Sequence, residues 1–250
     1  MNDILVVAVH PDDETLGAGG TLLRHKAQGD RIHWLILTSM YFRDGLNNLL
    51  TLNHNSQKIT LPEIWKFPAM AQEFLEKRVT DRALEIQEVS RAYRFDSVTE
   101  LFIPTTGFSE QAEVSLIARI SNEISKIKPQ SVYLPFYADV HGDHQAAFLV
   151  IYSSLKPFRA PFVKNIYMME TISETEYALP VAGNSFLPNR FVNIDDWFEE
   201  KMEILKIYTS ELGEPPMPRN VQSIRSLALL RGTFSQCKFA EAFMILRELV

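Results

Sequence analysis

The chain opens on an unbroken apolar run at positions 4–9, Ile-Leu-Val-Val-Ala-Val, with no polar residue alternating through it. A β-branched run this short and uniform predicts a strand buried on both faces, as in a parallel sheet. The polar turn after it leads through Gly17-Ala18-Gly19-Gly20 into 21–27, a predicted helix ended by Gly29. A second strand follows over 31–38, and this strand–helix–strand spacing of roughly 30 residues suits a βαβ unit.

Further along, the periodicity predicts a helix over 79–93, with Leu84, Val89 and Ala92 on its apolar face, and a strand over 98–103. Positions 114–127 form a strongly amphipathic helix pattern, with Leu116, Ile117, Ile120, Ile124 and Ile127 on one side. A strand at 131–134, a helix at 145–155 and a strand at 165–170 come next. Residues 186–192 read as extended, and Asn193 or Asp195 is placed to cap a helix running to Tyr208. Beyond Pro215-Pro216-Met217-Pro218, a pair of helices is predicted over 221–231 and 239–249. The stretch 39–78, broken by Asn47-Asn48, Asn53-His54-Asn55 and two prolines, reads as a long inserted loop with short helical pieces. Such loops often serve as lids or binding segments.

Alternating strands and helices predict an α/β fold: a Rossmann-like, open, mostly parallel sheet with helices on both faces. With no repeat, low-complexity tract or linker, the expectation is a single domain over 1–250 carrying the inserted loop 39–78. Composition narrows the function rather than the fold. Lys plus Arg is 25 against 31 Asp plus Glu, a formal net charge of −6, so a nucleic-acid partner is not expected. The first apolar run is far shorter than the roughly 20 residues a membrane span needs, and no basic segment precedes it. Membrane insertion is therefore not expected. A single cysteine, Cys237, forms no internal disulfide and suits a reducing cytoplasm.

Candidate chemistry sits directly after two of the predicted strands. His10, Asp12, Asp13 and Glu14 crowd the carboxyl end of the first strand, the edge where open α/β sheets bind ligands. Three neighbouring carboxylates repel one another unless a cation is present or their pKa values separate. Imidazole plus carboxylate is a usual zinc ligand set. A polar turn that merely caps the next helix would use some of the same residues. The second cluster, Asp139-Val140-His141-Gly142-Asp143-His144, follows the strand at 131–134 and precedes a helix, so residues three apart there can face one way. One histidine of the pair could bind a metal while the other faces a substrate. His54 is a further candidate in the inserted loop, whereas His25 and His33 read as ordinary side chains.

These residues carry a family resemblance. Val9-His10-Pro11-Asp12-Asp13-Glu14-Thr15-Leu16-Gly17-Ala18-Gly19-Gly20, Leu37-Thr38, Asp139-Val140-His141-Gly142-Asp143-His144, Phe191-Val192-Asn193-Ile194, Lys201, Arg231-Gly232 and Ala240-Glu241-Ala242-Phe243 resemble the LmbE-like, or PIG-L, N-deacetylases. The resemblance implies a hydrolase that removes the N-acetyl group of an N-acetylglucosamine-type amino sugar and releases acetate. It implies that His10, Asp13 and His144 hold Zn2+, with Fe2+ as another divalent choice. Asp12 would be the general base, and His141 would polarise the carbonyl or protonate the leaving amine. Asp139, Asp143 and Glu14 are candidates to orient the ligands, and Arg43 and Asp44 to contact the sugar. The partner implied is a small amino-sugar substrate, with a homo-oligomer left open. A zinc amidase acting on another N-acyl or thiol-sugar conjugate, and a non-catalytic sugar- or nucleotide-binding module, are the rival readings. No dinucleotide fingerprint or P-loop supports the nucleotide variant.

Overall fold

A computed structural model describes residues 1–41, 49–54, 57–62, 69–105, 108 and 113–249. Its centre is a seven-stranded sheet, and the local reason is visible in the first strand. In β1 (Asp3–Ala8) the side chains alternate between two cores: Ile4, Val6 and Ala8 enter one, Leu5 and Val7 the other. With both faces covered, an all-apolar strand is the stable solution. β1 pairs in parallel with β2 (Arg31–Tyr41) on one side and with β6 (Ser131–Leu134) on the other. β5 (Ser97–Thr105) extends the sheet beyond β2, and β7 (Asn165–Met169) extends it beyond β6, both in parallel. The order is completed by two antiparallel pairings, β7 with β9 (Ala240–Arg247) and β9 with β8 (Arg190–Asn193). The sheet is thus mostly parallel, as expected.

Helices cover both faces. Leu16 and Leu22 of α1 (Asp13–Ala27), Ile86 and Val89 of α2 (Ala69–Tyr93), Phe198 and Met202 of α5 (Phe198–Leu205) and Ile224 of α6 (Val221–Ser235) pack into one core. Leu116, Ile120 and Ile124 of α3 (Glu113–Ile127) and Ala147 and Ile151 of α4 (Gly142–Ser154) pack into the other. Among the described residues no helix is long and apolar enough to cross a membrane.

Four expectations are corrected. First, α1 begins at Asp13, so Gly17, Gly19 and Gly20 lie inside the helix rather than in a turn before it. A Cβ on Gly17 would stand 2.8 Å from Met169 Cβ, and one on Gly20 would stand 2.8 Å from Ile194 Cβ. Tertiary closeness here overrides the poor helix propensity of glycine. Second, 239–249 is not a helix. Ala, Glu, Met, Leu and Arg favour helices locally, but β9 is bonded between β7 and β8, and Glu241 ties it to the helical layer. The buried Glu241 accepts from Lys201 Nζ (2.7 Å) and from the amides of Gly20 (2.9 Å) and Thr21 (2.7 Å).

Third, the described part of the inserted stretch is not a loop with short helical pieces. β3 (Leu49–His54) and β4 (Gln57–Pro62) form an antiparallel hairpin, and α2 starts at Ala69. Ile59 and Leu61 alternate with Lys58 and Thr60 at strand period. On α2 the buried face is Arg82, Ile86, Val89 and Tyr93, while Leu84 is exposed. Fourth, neither Asn193 nor Asp195 caps α5. The Asn193 side chain accepts from the Asp195 amide (2.9 Å), and the Asp195 carboxylate accepts from the Phe239 amide (2.6 Å).

Candidate active site

The chain leaves β1 in one direction, towards β2, and returns later to place β6 on β1's other flank. The crevice at their carboxyl ends is the switch point where such sheets take ligands. His10 follows β1, and His141 and His144 follow β6, so residues far apart in sequence meet there. His144 Nε2 lies 3.3 Å from His10 Nδ1 and 3.4 Å from Asp13 Oδ2. Asp13 and His144 are fully buried, and His10 is partly exposed.

The turn that presents them is tightly held. The Asp13 Oδ2 accepts from the amides of Val9 (2.9 Å) and His10 (2.8 Å). Asp12 has φ 151° and ψ −25°, a conformation side-chain-bearing residues seldom adopt, at a cost of order 1–3 kcal/mol. It persists because neighbours fix it on several sides. Arg82 Nη1 donates to the Pro11 carbonyl (2.8 Å), Arg219 Nη1 to Asp12 Oδ2 (2.6 Å), and the Asp12 amide to Glu14 Oε2 (3.2 Å). Glu14 points away from the histidines, accepting from Tyr208 Oη (2.8 Å) and Thr15 Oγ1 (2.6 Å), and burial pushes its carboxyl up to about 7.

Of the expected orienting groups, Asp139 is hydrogen-bonded to His144, Asp143 only approaches His10, and Glu14 is bonded to neither histidine. Asp139 Oδ2 meets His144 Nδ1 at 2.9 Å, and its Oδ1 accepts from Thr175 Oγ1 (2.7 Å). Asp143 Oδ2 lies 3.5 Å from His10 Nε2. His141 caps α4: its Nδ1 accepts from the Asp143 amide at 3.1 Å. A backbone amide can only donate, so Nδ1 is the unprotonated nitrogen and the ring proton sits on Nε2.

Burial and mutual charge shift the titration of these groups. Burial works against a charged His144, yet Asp13 and Asp139 hold its imidazole up to about 9. Burial likewise opposes ionised Asp13, but the charges of His144 and His10 and the His10 amide keep its carboxyl below the usual range. Burial, followed by the charges of His10 and His144, holds His141 below the ordinary histidine value, so it is neutral at pH 7. Burial raises Asp12 well above the usual carboxylate range despite Arg219.

The donor set fits a divalent cation. His10, Asp13 and His144 each offer one ligand atom within 4.8 Å of the others, as do His10, His141 and Asp143. The first set is the better buried. Ligand bonds of about 2.0–2.1 Å in a tetrahedron set ligand atoms roughly 3.3 to 3.4 Å apart, close to the 3.3 and 3.4 Å found. Asp13 Oδ1 and His10 Nε2 are buried without a hydrogen-bond partner.

Beside these groups opens a cavity of about 150 Å3, whose walls include Asp12, His141, Thr38, Glu174, Glu211 and Arg219. The last three were not anticipated. Arg82, also on the wall, carried a signal, since it sits one turn before Ile86 on α2's buried face. Arg219 follows a proline-rich stretch with no periodicity to mark it. Arg43 and Asp44 lie outside the described residues. His54 ends β3 of the hairpin, and its side chain too lies outside the description.

A family profile described as PIG-L, GlcNAc-PI de-N-acetylase, matches residues 5–154. No curated protein matches the sequence. Solved structures do share the fold. A conserved protein of Thermus thermophilus is 22% identical, with a TM-score of 0.68, covering 100% of this chain and 97% of that one. The N,N'-diacetylchitobiose deacetylase of Pyrococcus horikoshii is 17% identical, with a TM-score of 0.67 over 98% of this chain and 84% of that one. The 4-carboxy-2-hydroxymuconate hydratase GalB of Pseudomonas putida is 16% identical, with a TM-score of 0.69 over 100% and 98%. Proteins of this shape therefore carry out more than one reaction, and the side chains must decide between them.

Proposed function

Because this chain belongs to the PIG-L, GlcNAc-PI de-N-acetylase family, we propose that it is a metal-dependent N-deacetylase. Its substrate is an N-acetylglucosamine-type amino sugar or conjugate, and its products are the free amine and acetate. The observation that carries the reading is the convergence of His10 Nδ1, Asp13 Oδ2 and His144 Nε2 beside Asp12. Asp12 Oδ1 is buried and has no hydrogen-bond partner.

In this reading His10, Asp13 and His144 hold zinc. A zinc ion bound there supplies Lewis acidity for a carbonyl and makes water more acidic. Asp12, with Oδ2 held by Arg219, keeps Oδ1 to take the proton of the attacking water. The acetamide oxygen gains negative charge as water adds to the carbonyl carbon. His141 Nε2–H is the donor suited to that oxygen, since the Asp143 amide reserves Nδ1 as acceptor. As the C–N bond breaks, Asp12 returns its proton to the nitrogen. His141 is thus assigned to the carbonyl rather than to the leaving amine. The geometry also argues against a binding module, which has no use for an unpaired carboxylate oxygen beside three convergent ligands.

The test is metal analysis of the purified protein, followed by acetate release from a panel of N-acetylglucosamine derivatives. A bound divalent metal and release from at least one member are expected. No metal and no release from any member would overturn the reading, and release of a different acyl group would move it to another amidase.

A further inference from the structure

The matched family segment ends at residue 154, yet three residues of the cavity wall come from beyond it. Glu174, Glu211 and Arg219 line the cavity together with Asp12 and His141, and Arg219 ties them into one network. Arg219 Nε donates to Ser173 Oγ (2.5 Å), Nη2 to Glu174 Oε1 (3.1 Å), and Nη1 to both Asp12 Oδ2 (2.6 Å) and Glu211 Oε2 (3.3 Å). Four of the five guanidinium donors are therefore engaged within the protein. Arg82, the other cation on this wall, is bonded to the Pro11 carbonyl, Glu211 and Glu85.

The arginines are thus turned to the protein's own carboxylates and offer no open fork for a phosphate or carboxylate ligand. What the wall does hold is an unpaired acceptor, covered from solvent. Glu174 is 7% exposed, and its Oε2 is buried without a hydrogen-bond partner while Arg219 fixes Oε1. A buried acceptor left unpaired is costly, so a ligand that donates to it is favoured. On this wall the guanidiniums of Arg219 and Arg82 are already paired with Asp12, Glu174, Glu211 and Glu85, so an anionic group on the ligand finds its counter-charge taken.

Resting on the deacetylase reading, we infer that the substrate presents an uncharged, hydroxyl-bearing sugar face to this wall. Glu174 is a substrate-binding residue that accepts a hydroxyl hydrogen bond. Sugars carrying a phosphate at that face are discriminated against.

The experiment compares binding of glucosamine and glucosamine 6-phosphate to the metal-loaded protein by titration calorimetry, so no turnover is needed. Glucosamine should bind at least tenfold more tightly. Glu174→Gln keeps an oxygen for Arg219 but replaces the free acceptor by a donor. It should weaken glucosamine about tenfold, the usual loss for a hydrogen bond to a charged group, with metal content and melting temperature retained. The same variant should narrow the preference against the phosphate. Equal or tighter phosphate binding by the wild-type protein, no binding of either ligand, or an unchanged glucosamine affinity in Glu174→Gln would each overturn the assignment. Binding as expected with no acetate release from any sugar would sink the deacetylase reading and leave this one standing.

Discussion

Asp139 Oδ2 lies 2.9 Å from His144 Nδ1 with both side chains fully buried, so the ring's other nitrogen is turned towards His10 and Asp13. A carboxylate behind a ligating histidine fixes its tautomer and raises its basicity, and removing one typically costs 10–100-fold in metal affinity. Asp139→Asn should weaken metal binding by about that factor while the fold persists, because Asn can still accept from Thr175. Competition with a chelator measures it. An unchanged affinity would show that His144 needs no such support.

Asp12 and His144 should separate on substitution. Asp12→Asn retains an acceptor for Arg219 but cannot take a proton. Acetate release should fall by about 10²–10⁴, the usual worth of a general base, with metal content unchanged. His144→Ala should lose the metal itself. Metal loss in Asp12→Asn together with full occupancy in His144→Ala would reverse the two roles.

Gly17 offers a contest between two effects of known size. Glycine to alanine inside a helix normally gains up to about 1 kcal/mol. Here the new Cβ would stand 2.8 Å from Met169 Cβ, and overpacking costs about 1–3 kcal/mol. Gly17→Ala should therefore lower the melting temperature, by roughly 2–4 °C per kcal/mol for a chain of this size. A rise in melting temperature would mean the helix and β7 can move apart freely.

Asp96 gives a pH dependence away from the site. Burial pushes its carboxyl up, but the Lys26 ammonium at 2.8 Å and the Ile32 amide at 2.8 Å outweigh it and hold the pKa below the ordinary value. The folded state then favours ionised Asp96 more than the unfolded chain does. Its contribution is fully present above about pH 4 and is lost as pH falls through the lower folded value. Asp96→Asn should cost up to about 1 kcal/mol in urea unfolding at pH 7 and converge with the wild type near pH 2. A difference that persists undiminished in acid would assign the effect to packing.

The legible parts of the sequence were those in which local pattern and tertiary role agree. β1 is apolar throughout because both its faces are buried, and α3 shows its stripe because only one face is. His10, Asp12 and Asp13 were readable since a turn after a buried strand has few reasons to hold so many charges. Two of the failures share a cause. α1's glycines and β9's helix-favouring residues are chosen for neighbours distant in sequence, Met169 and Ile194 for the first, β7 and β8 for the second. Glu174 and Arg219 show their importance only once the chain has folded their segments against Asp12.

The parallel pairing of β1 with β6 has one more consequence. His10 and His144 are 134 positions apart in the chain, yet their ring nitrogens sit 3.3 Å from each other. Neither half of the ligand set exists as a site until the strand at Ser131–Leu134 has docked beside the first one. If these residues hold a cation as proposed, its affinity would report completed topology: an intermediate lacking that one strand contact keeps all its histidines and aspartates and does not bring them together.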